Sequence, residues 1–290
     1  LQRFARETLF HGTTAVCALI CAAIVVTIFA FLAYFSIPLL EDGRLISILS
    51  RSWRPFQGNF GILPMIAGSL CLSLSAMVLA YPLALGICFF AHGVGPRIPG
   101  KIILALVHFM TSIPTVVYGF VAVFLLIPTL RTTLIRGSGF SWLAASLTLA
   151  VLILPTIVLF IHTQFSLIEP RITQTTCALG MTTSQRLFAV TMPLSSRGLF
   201  AAAILGFGRA MGDTMIPLML TGNAPLMPLS PLESLRTMTA HIALVVATDS
   251  QGAAYQSLFA CGIILFLITF AINLGLRWLE KAARYTEGGV

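Results

Sequence analysis

The chain has 290 residues, of which 58% are hydrophobic and 9% charged, and it carries a formal net charge of +8. Soluble domains carry roughly 25% charged residues, so a water-soluble enzyme or binding module is excluded. The basic residues are scattered among short connections and not gathered on one face, which argues against nucleic acid as a partner and for a chain oriented in a membrane.

Five windows free of charge, 12–40, 55–96, 102–130, 137–168 and 250–276, are each long enough to cross hydrocarbon as a helix, and a sixth apolar stretch, 198–222, is interrupted only by Arg209 and Asp213. The first window is too long for the apolar region of a cleaved signal peptide and is read as a retained span. Spans are expected near 13–37, 61–91, 102–128, 141–163, 197–222 and 255–278, all helical, because open strands cannot satisfy their backbone in lipid. Ten Lys and Arg residues fall on the side that holds both termini and six on the other, which predicts cytoplasmic termini. With no repeat and no low-complexity tail, residues 1–290 are read as one transmembrane domain.

In chain order, the first connection, 38–60, is long enough to contain structure. Gly95-Pro96-Arg97-Ile98-Pro99-Gly100-Lys101 has P-loop spacing but is followed by Ile102, contains two prolines and opens a membrane helix, so it is set aside. In the third span, Ser112-Ile113-Pro114-Thr115-Val116-Val117-Tyr118-Gly119 predicts a kink at Pro114 that frees a carbonyl near Met110. Structure alone accounts for such a kink, and a gating hinge is the alternative.

The connection 164–196 reads as two short helices broken at Gly180, with caps offered by Thr182 to Ser184 and a stop at Pro193. Leu187, Phe188 and Val190 are expected to form an apolar surface beside Arg186. By physics alone this element either rests on the membrane interface or docks a partner.

In the fifth span, Gly206-Phe207-Gly208-Arg209-Ala210-Met211-Gly212-Asp213-Thr214 puts Arg209 and Asp213 four residues apart, on one helix face and able to pair. A charge at bilayer depth costs about 2.5 to 3.5 kcal/mol, so such a pair faces a bundle interior or a polar cavity. It either neutralises itself there or offers a guanidinium to an oxyanion. Gly208 and Gly212 are assigned to helix packing. Beyond it, 224–231 is turn-rich, and 234–245 predicts a short helix near the outer surface.

Five cysteines lie in apolar spans and Cys177 in a connection, so no disulfide framework is read from them. The five histidines are dispersed in sequence with no metal-ligand set around them, and no catalytic constellation is visible. A membrane-embedded enzyme is therefore disfavoured.

The run Cys177-Ala178-Leu179-Gly180 with Met192-Pro193 and Gly198 resembles the coupling loop of ATP-binding-cassette (ABC) importer permeases. The Ser112–Gly119 stretch, Trp53 and Pro55 with Phe60-Gly61-Ile62-Leu63-Pro64, the Gly208–Thr214 run, Thr221-Gly222-Asn223 and Leu235-Arg236-Thr237-Met238-Thr239-Ala240 are similar to the PstC-type permease of the phosphate-specific importer. The similarity runs from about residue 50 to 275. Thr175, Thr176 and Cys177 depart from a pattern rich in an acidic residue and alanines, Asp213 stands where Glu is usual, and Ser112 and Thr115 replace Gly and Ser.

The resemblance implies an all-α, six-helix permease of the type I importer fold in a bacterial cytoplasmic membrane, surrounded by lipid. It implies a second homologous, PstA-like permease, two ATP-binding subunits and an extracytoplasmic phosphate-binding protein as partners, with phosphate as cargo. ATP and Mg would be bound by the partner subunits, with no catalytic residue, metal or cofactor in this chain. The translocation pathway would include Arg209, Asp213, Thr214, Thr115 and Tyr118. The ATPase-coupling loop would present Thr176, Ala178, Leu179, Gly180, Arg186, Leu187, Phe188 and Pro193. Sulfate or molybdate are alternative cargoes, and a membrane sensor that binds an ATPase without moving cargo is an alternative role.

Overall fold

A computed structural model describes residues 2–41, 53–54, 59–134, 138–248 and 253–287. The first helix, α1, spans Gln2–Glu41 and is followed by a two-stranded antiparallel hairpin, β1 Trp53–Arg54 and β2 Asn59–Phe60, with Trp53 opposite Phe60. Helix α2, Leu63–Phe89, starts with Pro64 in its first turn, where a missing N–H costs nothing, and ends in a π-helical turn, Phe90–Val94.

Helices α3, Arg97–Thr111, and α4, Thr115–Val121, follow, and a π turn at Ala122–Leu126 carries α4 into α5, Ile127–Leu134. Helix α6 is Trp142–Ala178. A short hairpin arm comes next: α7, Thr183–Arg186, a π turn at Leu187–Thr191 and α8, Met192–Leu194. Helices α9, Ser196–Gly212, α10, Met215–Leu220, α11, Met238–Thr248, and α12, Ala253–Glu287, complete the described chain.

Helix α6 is the axis of the bundle: 67% of its apolar window is buried, against none of α1's. It packs on α2 because α2 presents a stripe of small buried residues, Ser69, Ser73, Ala76, Ala80, Ala84 and Cys88, at steps of three and four. In lipid, where apolar burial gives helices little reason to associate, such a stripe lets backbones approach closely enough for van der Waals contact. Leu149, Ile153, Ile157 and Ile161 of α6 fill the seam. Polar groups pin it: the Trp142 indole N–H donates to Ser75 Oγ at 2.9 Å, and Ser75 and Ser146 hydroxyls lie 2.7 Å apart. Helix α1 attaches at the periphery to α12 through rings, with Phe35 stacked on Phe259 at 4.9 Å and Phe29 against Phe266 at 5.1 Å.

Among the described residues, four helices are long and apolar enough to cross a membrane, His11–Ile37, Leu63–Val94, Thr115–Thr133 and Trp142–Ala178. A fifth is reached if Thr183–Leu194 and Ser196–Gly212, bent by 70°, count as one. Two of the expected spans are altered. The third, 102–128, is not one kinked helix but two, because Pro114 lacks an N–H and pushes Ile113 out of helical geometry, so α3 ends at Thr111 and α4 begins at Thr115. The fifth, 197–222, is broken at Asp213 and Thr214. The sixth, 255–278, lies within α12, as expected.

Other differences are local. The first of the two short helices expected in 164–196 is the end of α6 itself, which runs unbroken past Pro170 to Ala178. The outer helix starts at Met238 instead of 234. Its Met238, Thr239, Ala240, His241 and Val245 are buried, so it packs against α12 and α2 in place of lying on a surface. The β hairpin had no counterpart in the expected elements. Its Trp53 lies edge-on to buried His241 at 4.4 Å.

Candidate functional site

Two constructions bear on function: the break between α9 and α10, and the hairpin around Gly180. The first begins with Asp213. The helix ends one residue before it, and Asp213 itself is extended, at φ −72° and ψ 135°. Its Oδ2 accepts the Ile216 N–H at 2.9 Å, so the carboxylate caps the start of α10. That corrects the expected pairing: four-residue spacing brings Arg209 and Asp213 together only if the helix continues, and among the described residues no ion pair joins them. Arg209 is exposed, Asp213 half-buried, and the charge of Arg209 still reaches both Asp213 and Tyr118.

Tyr118 comes from the neighbouring break. Its hydroxyl donates to the Met110 carbonyl at 2.9 Å, the group left without a helical partner by Pro114. Helix α4 sits against α10 where Gly119 leaves no side chain: a Cβ there would come within 2.6 Å of Met219 Sδ. Thr115 and Thr214, each at the start of a helix after a break, are half-buried. Thus Arg209, Asp213 and Tyr118 share one electrostatic neighbourhood, with the two threonines flanking the breaks.

Residues that sequence reasoning left unassigned hold the far side of the break. The Thr239 hydroxyl donates to the Asp213 carbonyl at 2.8 Å, Thr237 Oγ1 accepts the Ala240 N–H as a cap at 3.2 Å, and the Met238 N–H donates to Ser69 Oγ at 2.9 Å. Arg236 Nε donates to the Asn223 carbonyl at 2.8 Å, and Asn223 takes the left-handed conformation at φ 55°. Thr239 lies inside the 235–240 run noted for its resemblance, but nothing in sequence told its hydroxyl from that of Thr237.

The hairpin is built as a helix stop followed by a helix start. Gly180 has φ 68°, the left-handed geometry that favours glycine, and the Met181 N–H reaches back to the Thr176 carbonyl at 3.1 Å. Thr182 Oγ1 then accepts the Gln185 N–H at 3.3 Å, and Gln185 Oε1 accepts the Thr182 N–H at 2.9 Å, a reciprocal capping box. The break at Gly180 and the cap at Thr182 match expectation.

The expected apolar surface does not. Leu187 is buried, because it faces into the main apolar core of the bundle and not outward with Phe188. The exposed apolar groups are Leu179, 73% accessible, and Phe188, 50% accessible, and they line a shallow groove of about 760 Å³ with Gly180, Met181, Ser184, Gln185 and Ala189. Pro193 does not stop the helix; it sits in the first turn of α8, and the chain bends two residues later at Ser195. Thr176 is buried with its hydroxyl on the Ile172 carbonyl, Ala178 is exposed, and Arg186 donates to Thr173 Oγ1 at 3.5 Å.

One cluster contradicts the dispersed reading of the histidines. His92 Nδ1 lies 3.0 Å from Glu169 Oε1, and His92 Nε2 lies 2.7 Å from His162 Nδ1. The three groups form a chain and do not converge on a point, and among the described residues no group of three His, Cys, Asp or Glu is arranged to hold a metal ion.

Against known proteins, the family described as binding-protein-dependent transport system inner membrane component matches residues 84–285. The chain is 29% identical over 271 residues to a probable ABC transporter permease protein, YqgH, of Bacillus subtilis, covering 91% of this chain and 88% of that protein. It is 30% identical over 300 residues to the phosphate transport system permease protein PstC of Mesorhizobium japonicum, covering 96% and 91%. A solved structure of the MetNI methionine ABC transporter in an inward-facing conformation overlays with a TM-score of 0.59 at 16% identity, covering 79% of this chain and 99% of that one. That last likeness shows the fold: a type I importer permease.

Proposed function

We propose that this chain, which belongs to the family of binding-protein-dependent transport system inner membrane components, is the subunit that carries inorganic phosphate across the cytoplasmic membrane in an ATP-driven importer. The observation that carries the reading is Arg209: a guanidinium at a helix break in the fifth span, exposed, with the nearby carboxylate committed to a backbone N–H. A tetrahedral oxyanion entering an apolar bundle needs charge compensation, and a guanidinium offers it in a fixed fork of donors. Phosphate as that anion is supported by the PstC relatives.

In this reading Asp213 fixes the break, and Tyr118, Thr115 and Thr214 line the same stretch of path. The hairpin from Thr176 to Pro193 meets one of two ATP-binding subunits, which supply ATP and Mg, and offers Leu179 and Phe188 as apolar contacts beside Ala178, Gly180, Arg186 and Leu187. A PstA-like permease completes the pathway, a phosphate-binding protein delivers cargo from outside, and both termini are cytoplasmic. ATP-driven closure of the partner subunits moves the hairpin, and α6, continuous with it, carries that movement into the bundle.

Uptake of radiolabelled phosphate by cells expressing the chain with its partner subunits tests the proposal. ATP-dependent uptake that resists excess sulfate and molybdate is expected. Uptake suppressed by either competitor would reassign the cargo within the oxyanions.

A further inference from the structure

The hairpin is held by a chain of titratable groups that transport chemistry does not use. His92 sits in the π turn at the end of α2, and Glu169 and His162 lie two turns apart on α6. The His92 side chain is 7% accessible and that of Glu169 is 24%. Phe165 closes the cluster on one side, edge-on to His92 at 5.3 Å and stacked on Phe89 at 6.1 Å.

Neighbours of this chain on both helices touch the hairpin. At the α2 end, Phe89 packs edge-on against Phe188 at 5.1 Å, and a Cβ on Gly93 would come 2.7 Å from Thr183 Cγ2. At the α6 end, Arg186 donates to Thr173 Oγ1, and the Thr173 hydroxyl donates to the Glu169 carbonyl at 2.6 Å. Whatever holds the end of α2 against α6 therefore also seats α7.

Hydrogen bookkeeping limits what that contact tolerates. A carboxylate only accepts, so His92 Nδ1 carries a hydrogen toward Glu169, which leaves Nε2 of a neutral His92 as an acceptor for the N–H of His162 Nδ1. One added proton is accommodated, since His92 then donates from both nitrogens and His162 Nδ1 accepts. A second added proton puts two N–H groups face to face across 2.7 Å, and the contact must open. The charges that reach His162 come from His92, from His108 on α3 and from Glu169. Around it, the Cys88 thiol of α2 donates to the Val158 carbonyl, and the Tyr81 hydroxyl of α2 donates to the Leu199 carbonyl. Arg186 is taken up by Thr173, and Lys101 of α3, Arg171 of α6, and Arg197 and Arg209 of α9 are exposed.

We propose that the His92–His162 contact is a proton-operated latch on the hairpin: closed with at most one shared proton, open when a second arrives. It rests on the reading of the hairpin as the ATPase contact, and it makes coupling sensitive to acid.

The test is hydrogen exchange of residues 88 to 94 in the assembled transporter in lipid nanodiscs, over a series of pH values running from neutral into the acid range. Corrected for intrinsic exchange, opening linked to one proton rises by up to ~10-fold per pH unit on the acid side. His162→Asn keeps a hydrogen-bonding atom near the Nδ1 position but takes no proton, and His92→Gln does the same from the other side, so both flatten that slope. ATPase activity of the same complexes is expected to fall on the acid side in the wild type and hold in the variants, after subtraction of the isolated ATPase profile. Equal acid slopes in wild type and His162→Asn would overturn the latch. The exchange readout needs no cargo, so a failure of phosphate uptake leaves it standing.

Discussion

Two interrupted spans lie side by side in this molecule, and they end differently. At Ser112 to Pro114 the break is closed within its own span: the carbonyl freed by Pro114 at Met110 is covered by Tyr118, a residue of the very next helix. At Asp213 and Thr214 the break is closed by a carboxylate turned forward onto Ile216 and a threonine brought from α11, and these closures leave Arg209 exposed. The first break costs a hydroxyl. The second turns the carboxylate nearest Arg209 onto a backbone N–H, and on the proposed reading it is this break that offers a charge to cargo.

Arg209→Gln breaks the comparison most forcefully. Loss of charge-assisted hydrogen bonds to an anion is worth about 1.5 to 3 kcal/mol, so phosphate uptake is expected to fall by roughly 10- to 150-fold while the complex still purifies intact. Uptake near the wild-type rate would leave the two breaks equivalent. Gly180→Val comes next. No atom lies within 4 Å of an added Cβ, so its cost is the left-handed backbone, roughly 1 to 2 kcal/mol, read as at least several-fold weaker co-purification of the ATP-binding subunit. Gly180→Asn, which tolerates φ 68°, is expected to restore it; if Val and Asn behave alike, backbone geometry is not what the hairpin requires.

Smaller effects sharpen the contrast. Asp213→Ala removes the cap on α10 and is expected to cost about 1 kcal/mol of stability, visible as a lower thermal midpoint of the complex, whereas Asp213→Asn keeps an acceptor and most of that stability. Equal losses would mean that the charge of Asp213 and not its cap is what counts. Tyr118→Phe leaves the Met110 carbonyl with the Ile113 N–H alone, a loss of about 1 kcal/mol, with uptake changed less than in any variant above.

The elements with local causes were legible in the sequence. Gly180 and Thr182 announce a stop and a start through backbone chemistry that needs no neighbour, and the apolar windows announce their helices by length alone. The Asp213 break was misread because four-residue spacing presumes a continuous helix. A signal was nonetheless present: Pro217 lies four residues on, and in a continuous helix its ring would collide with the Asp213 carbonyl. In the structure Pro217 sits in the first turn of α10, where it is harmless. The burial of Leu187 depended on which side of the arm faces the bundle core, and that has no local sequence mark. The meeting of His92 with His162 depended on which faces of α2 and α6 oppose each other, and residues 70 positions apart carry no local trace of that.

The most direct measurement sets Arg209→Gln and Asp213→Asn side by side in one phosphate-uptake assay with matched amounts of assembled complex. On the proposed reading Arg209 meets the anion and Asp213 holds the break, so Arg209→Gln is expected at background and Asp213→Asn close to the wild type. Uptake retained in Arg209→Gln, or lost equally in both, would contradict an exposed guanidinium at a capped helix break as the group that meets the anion.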